Sequence, residues 1–167
     1  KAIIVMYHGG NPINAENFWK LKKNLNCFII EDSCHALGSE YKFKKKYYKI
    51  GSCKHSDIST FSLHPLKSIT TGEGGVIITN SNDIFKKIIL YRSHGMKKNK
   101  KKHWDYDILL NGFNFRLNDI QCALGISQLK KINSFIKKRS LIAEKYNEIF
   151  KKNQKLKVLE PDKNYRS

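Results

Sequence analysis

Apolar residues recur along the first half of the chain in short continuous runs, separated by polar, turn-forming residues. Ala2 to Met6 reads AIIVM and ends at the turn signal HGGNP, the mark of a buried strand. From Asn14 to Lys23 the spacing changes. Phe18, Leu21 and Leu25 recur at roughly helical intervals, and Asn14 is placed to cap the first turn. Cys27 to Ile30 is a second buried run, with Glu31 and Asp32 at its carboxyl end. Strand, helix and strand within about thirty residues predict a βαβ unit and hence a parallel sheet. Ligands of such sheets sit at the carboxyl ends of the strands, which places Asp32 well.

Leu37 to Gly51 is polar and basic with several tyrosines, and it predicts a loop or short hairpin. Ile58 to Leu63 and Val76 to Thr79 predict two further buried strands. Ser81 or Asn82 caps a helix through Leu90, with Ile84, Phe85, Ile88 and Ile89 on one face. Met96 to His103 is rich in lysine and reads as a solvated loop, the alternative being a lid over an anionic substrate. Asn118 starts a helix carrying Ile120, Ala123, Leu124 and Leu129. A longer helical pattern follows from about Leu129 to Phe150 through Ile132, Ile136, Ile142, Tyr146 and Ile149. No internal repeat is present. The domain reading is a large domain over 1–128, a connecting helix over 129–153, and the start of a small domain over 154–167. The chain opens on an apolar run behind Lys1, so a piece of a longer protein is expected.

Composition changes this picture little. The chain has 167 residues, enough for one domain with a sizeable core. Its formal charge of +18 admits a nucleic-acid or acidic-membrane partner. Against that, Arg supplies only Arg92, Arg116, Arg139 and Arg166 of the 32 basic side chains. Arg is the better bidentate reader of phosphate. The abundance of Lys, Asn and Ile fits a compositional bias, so no nucleic-acid partner is expected. The positive field still attracts anions. Cys27, Cys34, Cys53 and Cys122 are widely spaced, form no C-x-x-C pair, and read as reduced residues of a cytoplasmic protein with no metal site. No apolar run approaches the ~20 residues of a membrane span.

The chemistry gathers between the two later strands, in DISTFSLHPLKSITTGEGGVIIT from Asp57. Pro65 stops regular pairing, having no N–H to donate. Lys67 then sits among apolar and hydroxylic neighbours, unlike the many solvated lysines of this chain. Partial desolvation makes such an amine a usable nucleophile or base, and a Schiff-base role with pyridoxal phosphate (PLP) is the functional candidate. Ser62, Ser68, Thr70 and Thr71 are possible donors to its phosphate, and Gly72, Gly74 and Gly75 allow close backbone approach.

FSLHPLKSITTGEGG resembles the lysine motif of the DegT/DnrJ/EryC1/StrS family of PLP-dependent nucleotide-sugar aminotransferases. Three stretches agree in order and spacing: EDSCHALGSEY from Glu31, YRSHG from Tyr91, and GFNFRLNDIQCALGISQLKKI from Gly112. The resemblance covers most of residues 1 to about 150. It implies the α/β large domain of fold type I, the aspartate aminotransferase-like PLP-dependent transferases: a mostly parallel sheet flanked by helices, here incomplete. It implies Lys67 as the catalytic, cofactor-holding lysine and Asp32 as the partner of the pyridine nitrogen. By the same resemblance Cys34 lies against the cofactor face, His35 binds its ring oxygen, and Ser62 contacts its phosphate. Asn114 reaches across a homodimer interface to the partner's phosphate, and His64, His94 and Arg116 line the sugar site. The SLHPLK and EDSCHA variants resemble the branch that moves an amino group, from L-glutamate, to C4 of a UDP-linked 4-keto-6-deoxy-N-acetyl-hexose. The family's upstream Gly-Thr phosphate segment and stacking aromatic would lie before Lys1, so these 167 residues alone are expected to be inactive.

Three other readings compete. Sugar dehydratases of the same fold carry His where Lys67 stands. A basic nucleic-acid module requires Arg and aromatics interleaved on one face. A hydrolase built from Ser62, His64 and Asp57 lacks the G-x-S-x-G elbow.

Overall fold

The computed structural model describes residues 1–99, 101–102, 104–153, 155–156, 158 and 165–166. The chain begins with β1 (Ala2–Met6), which leads through a tight turn at His8–Gly10 into α1 (Ala15–Leu25). Asn14 caps α1 by accepting from the Asn17 N–H at 3.4 Å. Asn26, in the left-handed region at φ 46°, ends it and turns the chain into β2 (Phe28–Asp32). β3 (Glu40–Phe43) and β4 (Lys46–Lys49) form the expected hairpin. β5 (Ile58–Ser62) and β6 (Gly75–Ile78) flank the Lys67 loop.

α2 (Asn82–Arg92) follows, with the Ser81 hydroxyl accepting from the Ile84 N–H. β7 (Met96–Lys98) pairs with β8 (Tyr106–Ile108). The expected loop at Met96 to His103 is therefore partly a hairpin strand; Lys100 and His103 lie outside the described residues. α3 (Asp119–Leu129) opens with a capping box between Asn118 and Gln121. α4 (Ile132–Phe150) is separate from it, the chain turning at Lys130 and Lys131. β9 (Tyr165–Arg166) pairs antiparallel with β3. The expected small-domain start at 154–167 lies mostly outside the described residues.

The main sheet has the order β1-β2-β5-β6. β1, β2 and β5 are parallel, as the βαβ pattern requires, and β6 is antiparallel to β5. Register separates the two faces. Val5, Glu31 and Ser59 share one face and Met6, Asp32 and Thr60 the other. The first face carries the core. Val5, Tyr7, Ile29, Ala36, Tyr41 and Ile50 pack there, with Phe18 and Trp19 of α1 and with Phe43 and Tyr48 of the hairpin.

The edge strand β6 overturns one expectation. Val76 to Thr79 reads as a buried strand, yet all four residues of β6 are exposed, Ile77 at 51%. Ile4 at 69% and Phe28 at 51% continue the same apolar face across β1 and β2. The reason is physical: an apolar run records a preference for burial, and β6 is the edge strand, with Ile77 on the second face and Val76 and Ile78, opposite Phe61 and Ser59, on the first, and none of the described elements buries either side of it. Similarly, no residue of α2 is fully buried, and Phe85 is exposed.

The two faces should respond differently to truncation. Ile29→Ala removes a side chain that is 1% exposed and should cost about 3 kcal/mol. Ile77→Ala should cost less than about 1 kcal/mol. Urea denaturation of the 167-residue chain measures both, and equal losses would mean that the second face is packed.

Candidate active site

The carboxyl ends of β2 and β5 lie side by side because the strands are parallel, with Asp32 opposite Thr60. Asp32 is the last residue of β2, and Ser62 is the last of β5. Both belong to the sheet face that β1, β2 and β6 leave exposed. The turn after Asp32 carries Cys34 and His35, and the loop after Ser62 carries Lys67.

Asp32 Oδ1 accepts from the Cys34 N–H at 3.1 Å. Hydrogen bonding from the Cys34 thiol, against an opposing effect of burial, holds the Asp32 carboxyl below the usual carboxylate range. The Cys34 backbone N–H and the charges of His35 and Lys67 add to it. Burial first, then the bond to Asp32, pushes the Cys34 thiol up, while Lys67 and the Ser62 backbone act in the opposite direction. Asp32, Cys34, Ser62 and Lys67 are thus near enough to act on one another across two strands. Lys67 is half-buried.

His35 belongs to the same end of the sheet. Its Nδ1 accepts from the Gly9 N–H at 3.2 Å, so in the neutral ring the proton is on Nε2. The turn that supplies this donor needs glycine. Gly10 lies at φ 81°, and a Cβ there would stand 2.7 Å from the His35 carbonyl oxygen.

The Lys67 loop is tied at its base. The Lys67 N–H donates to the His64 carbonyl at 3.0 Å, and the Thr71 N–H donates to the Leu63 carbonyl at 3.0 Å. Two expected phosphate donors are engaged elsewhere. Thr70 Oγ1 donates to the Leu63 carbonyl at 2.9 Å, and Thr71 Oγ1 donates to the Glu73 carbonyl at 2.7 Å. A hydroxyl has one proton, so neither has one left for an anion. Ser62 differs. Its oxygen accepts from the His64 N–H at 3.3 Å, leaving its proton available. His64 turns into its own loop, with Nδ1 accepting from the Leu66 N–H and Nε2 3.9 Å from Glu73 Oε1.

His94, Asn114 and Arg116 form a second group beyond α2. Ser93 and Asn114 make an isolated bridge, and Arg116 Nη2 lies 3.4 Å from His94 Nε2. The hydrolase reading fails on geometry. Asp57 lies at the opposite end of β5 from Ser62, about 16 Å of strand away. There it accepts from the Ile29 N–H at 2.9 Å and pairs with Lys22.

Two participants escape the sequence. Glu31 is 1% exposed on the core face, accepting from the Tyr7 hydroxyl at 2.8 Å and the Gly51 N–H at 3.3 Å. A charged residue two positions from Ile29 in a buried run was the available signal. Arg139 of α4 donates from Nη2 to the Lys67 carbonyl at 3.3 Å, a contact for which local sequence carries no signal.

Comparison with known proteins places this geometry. The model of the DegT/DnrJ/EryC1/StrS aminotransferase family matches residues 1–167. The UDP-4-amino-4,6-dideoxy-N-acetyl-beta-L-altrosamine transaminase of Campylobacter jejuni is 46% identical over 152 residues, 91% of this chain and 38% of that protein. The structure of Helicobacter pylori PseC, an aminotransferase involved in the biosynthesis of pseudoaminic acid, matches with a TM-score of 0.84. It is 42% identical and covers 92% of this chain and 39% of that one. Spr1654 from Streptococcus pneumoniae, in a PMP form, matches with a TM-score of 0.76 at 27% identity, covering 90% of this chain and 43% of that one. The chain therefore spans about two-fifths of the length of these relatives. With its α/β sheet and its four ordered motifs, the chain belongs to the DegT/DnrJ/EryC1/StrS aminotransferase family.

Proposed function

We propose that this chain is the lysine-bearing segment of a PLP-dependent aminotransferase. The reaction moves an amino group from L-glutamate to C4 of a UDP-linked 4-keto-6-deoxy-N-acetyl-hexose. The observation that carries this reading is the cluster of Asp32, Cys34, Ser62 and Lys67 at the carboxyl ends of two parallel strands. The residues fit the cofactor by their chemistry: an amine, a carboxylate held ionised, a small thiol-bearing side chain and a hydroxyl with its proton free. The Campylobacter relative bears the name of a 4-amino-4,6-dideoxy sugar, which corresponds to a 4-keto-6-deoxy acceptor.

Bound PLP supplies a conjugated ring that accepts the electron pair of the reacting carbon. Lys67 Nζ anchors the cofactor's carbonyl and, when free, is the base that moves a proton at the reacting carbon. Asp32 stays ionised at neutral pH and so favours a proton on the pyridine nitrogen. His35 offers its Nε2–H to the ring oxygen. Ser62 offers its hydroxyl proton to the phosphate. Asn114 serves the phosphate of a partner subunit in a homodimer. His94 and Arg116 bind the substrate's anionic part, toward which the +18 charge also draws it. His64 is a weaker candidate for the sugar site, because both its ring nitrogens face its own loop. The free cysteines suit a cytoplasmic enzyme.

The lysine assignment is tested by reducing the PLP-loaded protein with borohydride and mapping the labelled peptide. The protein is a polypeptide of the relatives' full length that contains residues 1–167. The label should fall on Lys67 and vanish in Lys67→Ala. Labelling spread over other lysines, or undiminished in the variant, refutes the assignment. The isolated 167 residues should show no turnover with L-glutamate and keto-sugar nucleotide, and measurable turnover would contradict that.

Asp32 gives a pH prediction. Its carboxyl is depressed in the folded chain, so its stabilising contribution is present above about pH 4, the unfolded carboxylate range, and is lost as pH falls through the folded value. Asp32→Asn lacks that contribution at every pH. Between about pH 7 and pH 3 the variant should lose less stability than the parent in urea titrations. Parallel curves would show that Asp32 is not held ionised by the fold.

A further inference from the structure

The loop that follows Asp32 at the end of β2, carrying Cys34 and His35, and the loop after β5, carrying Lys67, meet one face of α4. Ile136 packs on the first loop at Gly38, where a Cβ would stand 2.1 Å from Ile136 Cδ1. Gly38 has φ 99°, so the backbone and the close helix both demand glycine. Arg139 holds the second loop, donating from Nη2 to the Lys67 carbonyl at 3.3 Å across 72 positions of sequence. Residues three apart lie on one helix face, about 4.5 Å apart along the axis. One rigid element therefore sets the spacing between the carboxylate loop and the lysine loop.

We propose that Arg139 is a positioning residue for Lys67, an inference that rests on Lys67 being the cofactor-holding amine. The rest of the Lys67 loop is tied to its own base through His64 and Leu63. Farther along, α3 also holds the loop, Gln121 Nε2 donating to the Glu73 carbonyl at 3.0 Å, but at Lys67 itself the hold comes from Arg139 of α4. A guanidinium suits this task because it stays charged at all working pH values and its fork keeps donors aimed at an oxygen. Arg139 is exposed, so its removal leaves the core untouched. The hydrogen bond lost with it is the one on the Lys67 carbonyl.

The test uses the full-length polypeptide with Arg139→Met, which keeps the apolar stem and removes the donors, and with Arg139→Lys, which restores one charged donor. Without cofactor, amide hydrogen exchange across residues 64–71 should rise about tenfold in Arg139→Met, on the scale of one charge-assisted hydrogen bond. Exchange in α1 and α2 should stay unchanged. At limiting PLP, borohydride trapping at Lys67 should fall by a similar factor, and Arg139→Lys should recover part of both. Unchanged exchange overturns the proposal. Faster exchange with undiminished trapping also overturns it, because Arg139 would then brace the loop without placing the amine. If the unsubstituted protein traps PLP elsewhere than Lys67, the aminotransferase assignment of Lys67 fails first and the proposal fails with it.

Discussion

The parallel pairing of β2 between β1 and β5 is the constraint on which the rest depends. It brings two strand ends together, and the turn after one carries a carboxylate's partners while the loop after the other carries an amine. The pairing is reinforced from inside by Glu31. Burying a carboxylate is costly unless its oxygens are satisfied. Here both are, by the Tyr7 hydroxyl and the Gly51 N–H. Burial, and then the charge of Glu31, push the Tyr7 hydroxyl far up, so it remains a donor throughout the working pH range. Tyr7 is joined to β2 a second time, its N–H donating to the Asp32 carbonyl at 3.1 Å. The end of β1, the end of β2 and the turn at Gly51 are thereby fixed to one buried group, one residue before Asp32.

A division of labour between the sheet faces follows from this register. Alternation places Glu31 in the core and Asp32 on the opposite face. The neighbouring acids thus have different surroundings: one closes the interior, the other stands on the open face and accepts from the Cys34 N–H. The same logic applies at the start of the strands. Asp57 binds the Ile29 N–H and Lys22, which ties α1 to the sheet at its amino end. Acidic residues are few in this chain, and these three each stand at a strand terminus or in its core. In a strongly basic polypeptide, these three carboxylates stand where backbone or buried donors of the parallel sheet need them.

Much of this was legible in the sequence. The apolar runs located β1, β2 and β5, because continuous runs bounded by turn residues have few other uses. Asn14, the Ser81-Asn82 pair and Asn118 announced three helices, since such side chains can satisfy an orphan N–H, and in the fold Ser81 takes the second cap. Lys67 stood out by its neighbours and by a motif. The exposure of β6 was not legible, because VII reads the same whether a face is covered or bare. The engagement of Thr70 and Thr71 was hidden because a hydroxyl serves a loop carbonyl or a phosphate equally well. Arg139 was one basic residue among 32, and its partner is 72 positions away.

These two kinds of failure have one origin. Local pattern reports what a residue prefers, while a site is made of what is left after those preferences are met. Ser62 and Thr70 illustrate the difference. Each is a hydroxyl near the same loop, yet Ser62 accepts from a backbone N–H and keeps its proton, while Thr70 gives its proton to a carbonyl. Only the first can donate to an incoming anion. Likewise His35 and His64 are both histidines beside the same strand ends. Gly9 occupies one nitrogen of His35 and leaves the other, whereas His64 has one nitrogen on Leu66 and the other facing Glu73. The capacity to bind follows from the unpaired half of each polar group, and that half is defined by contacts that only the folded chain contains.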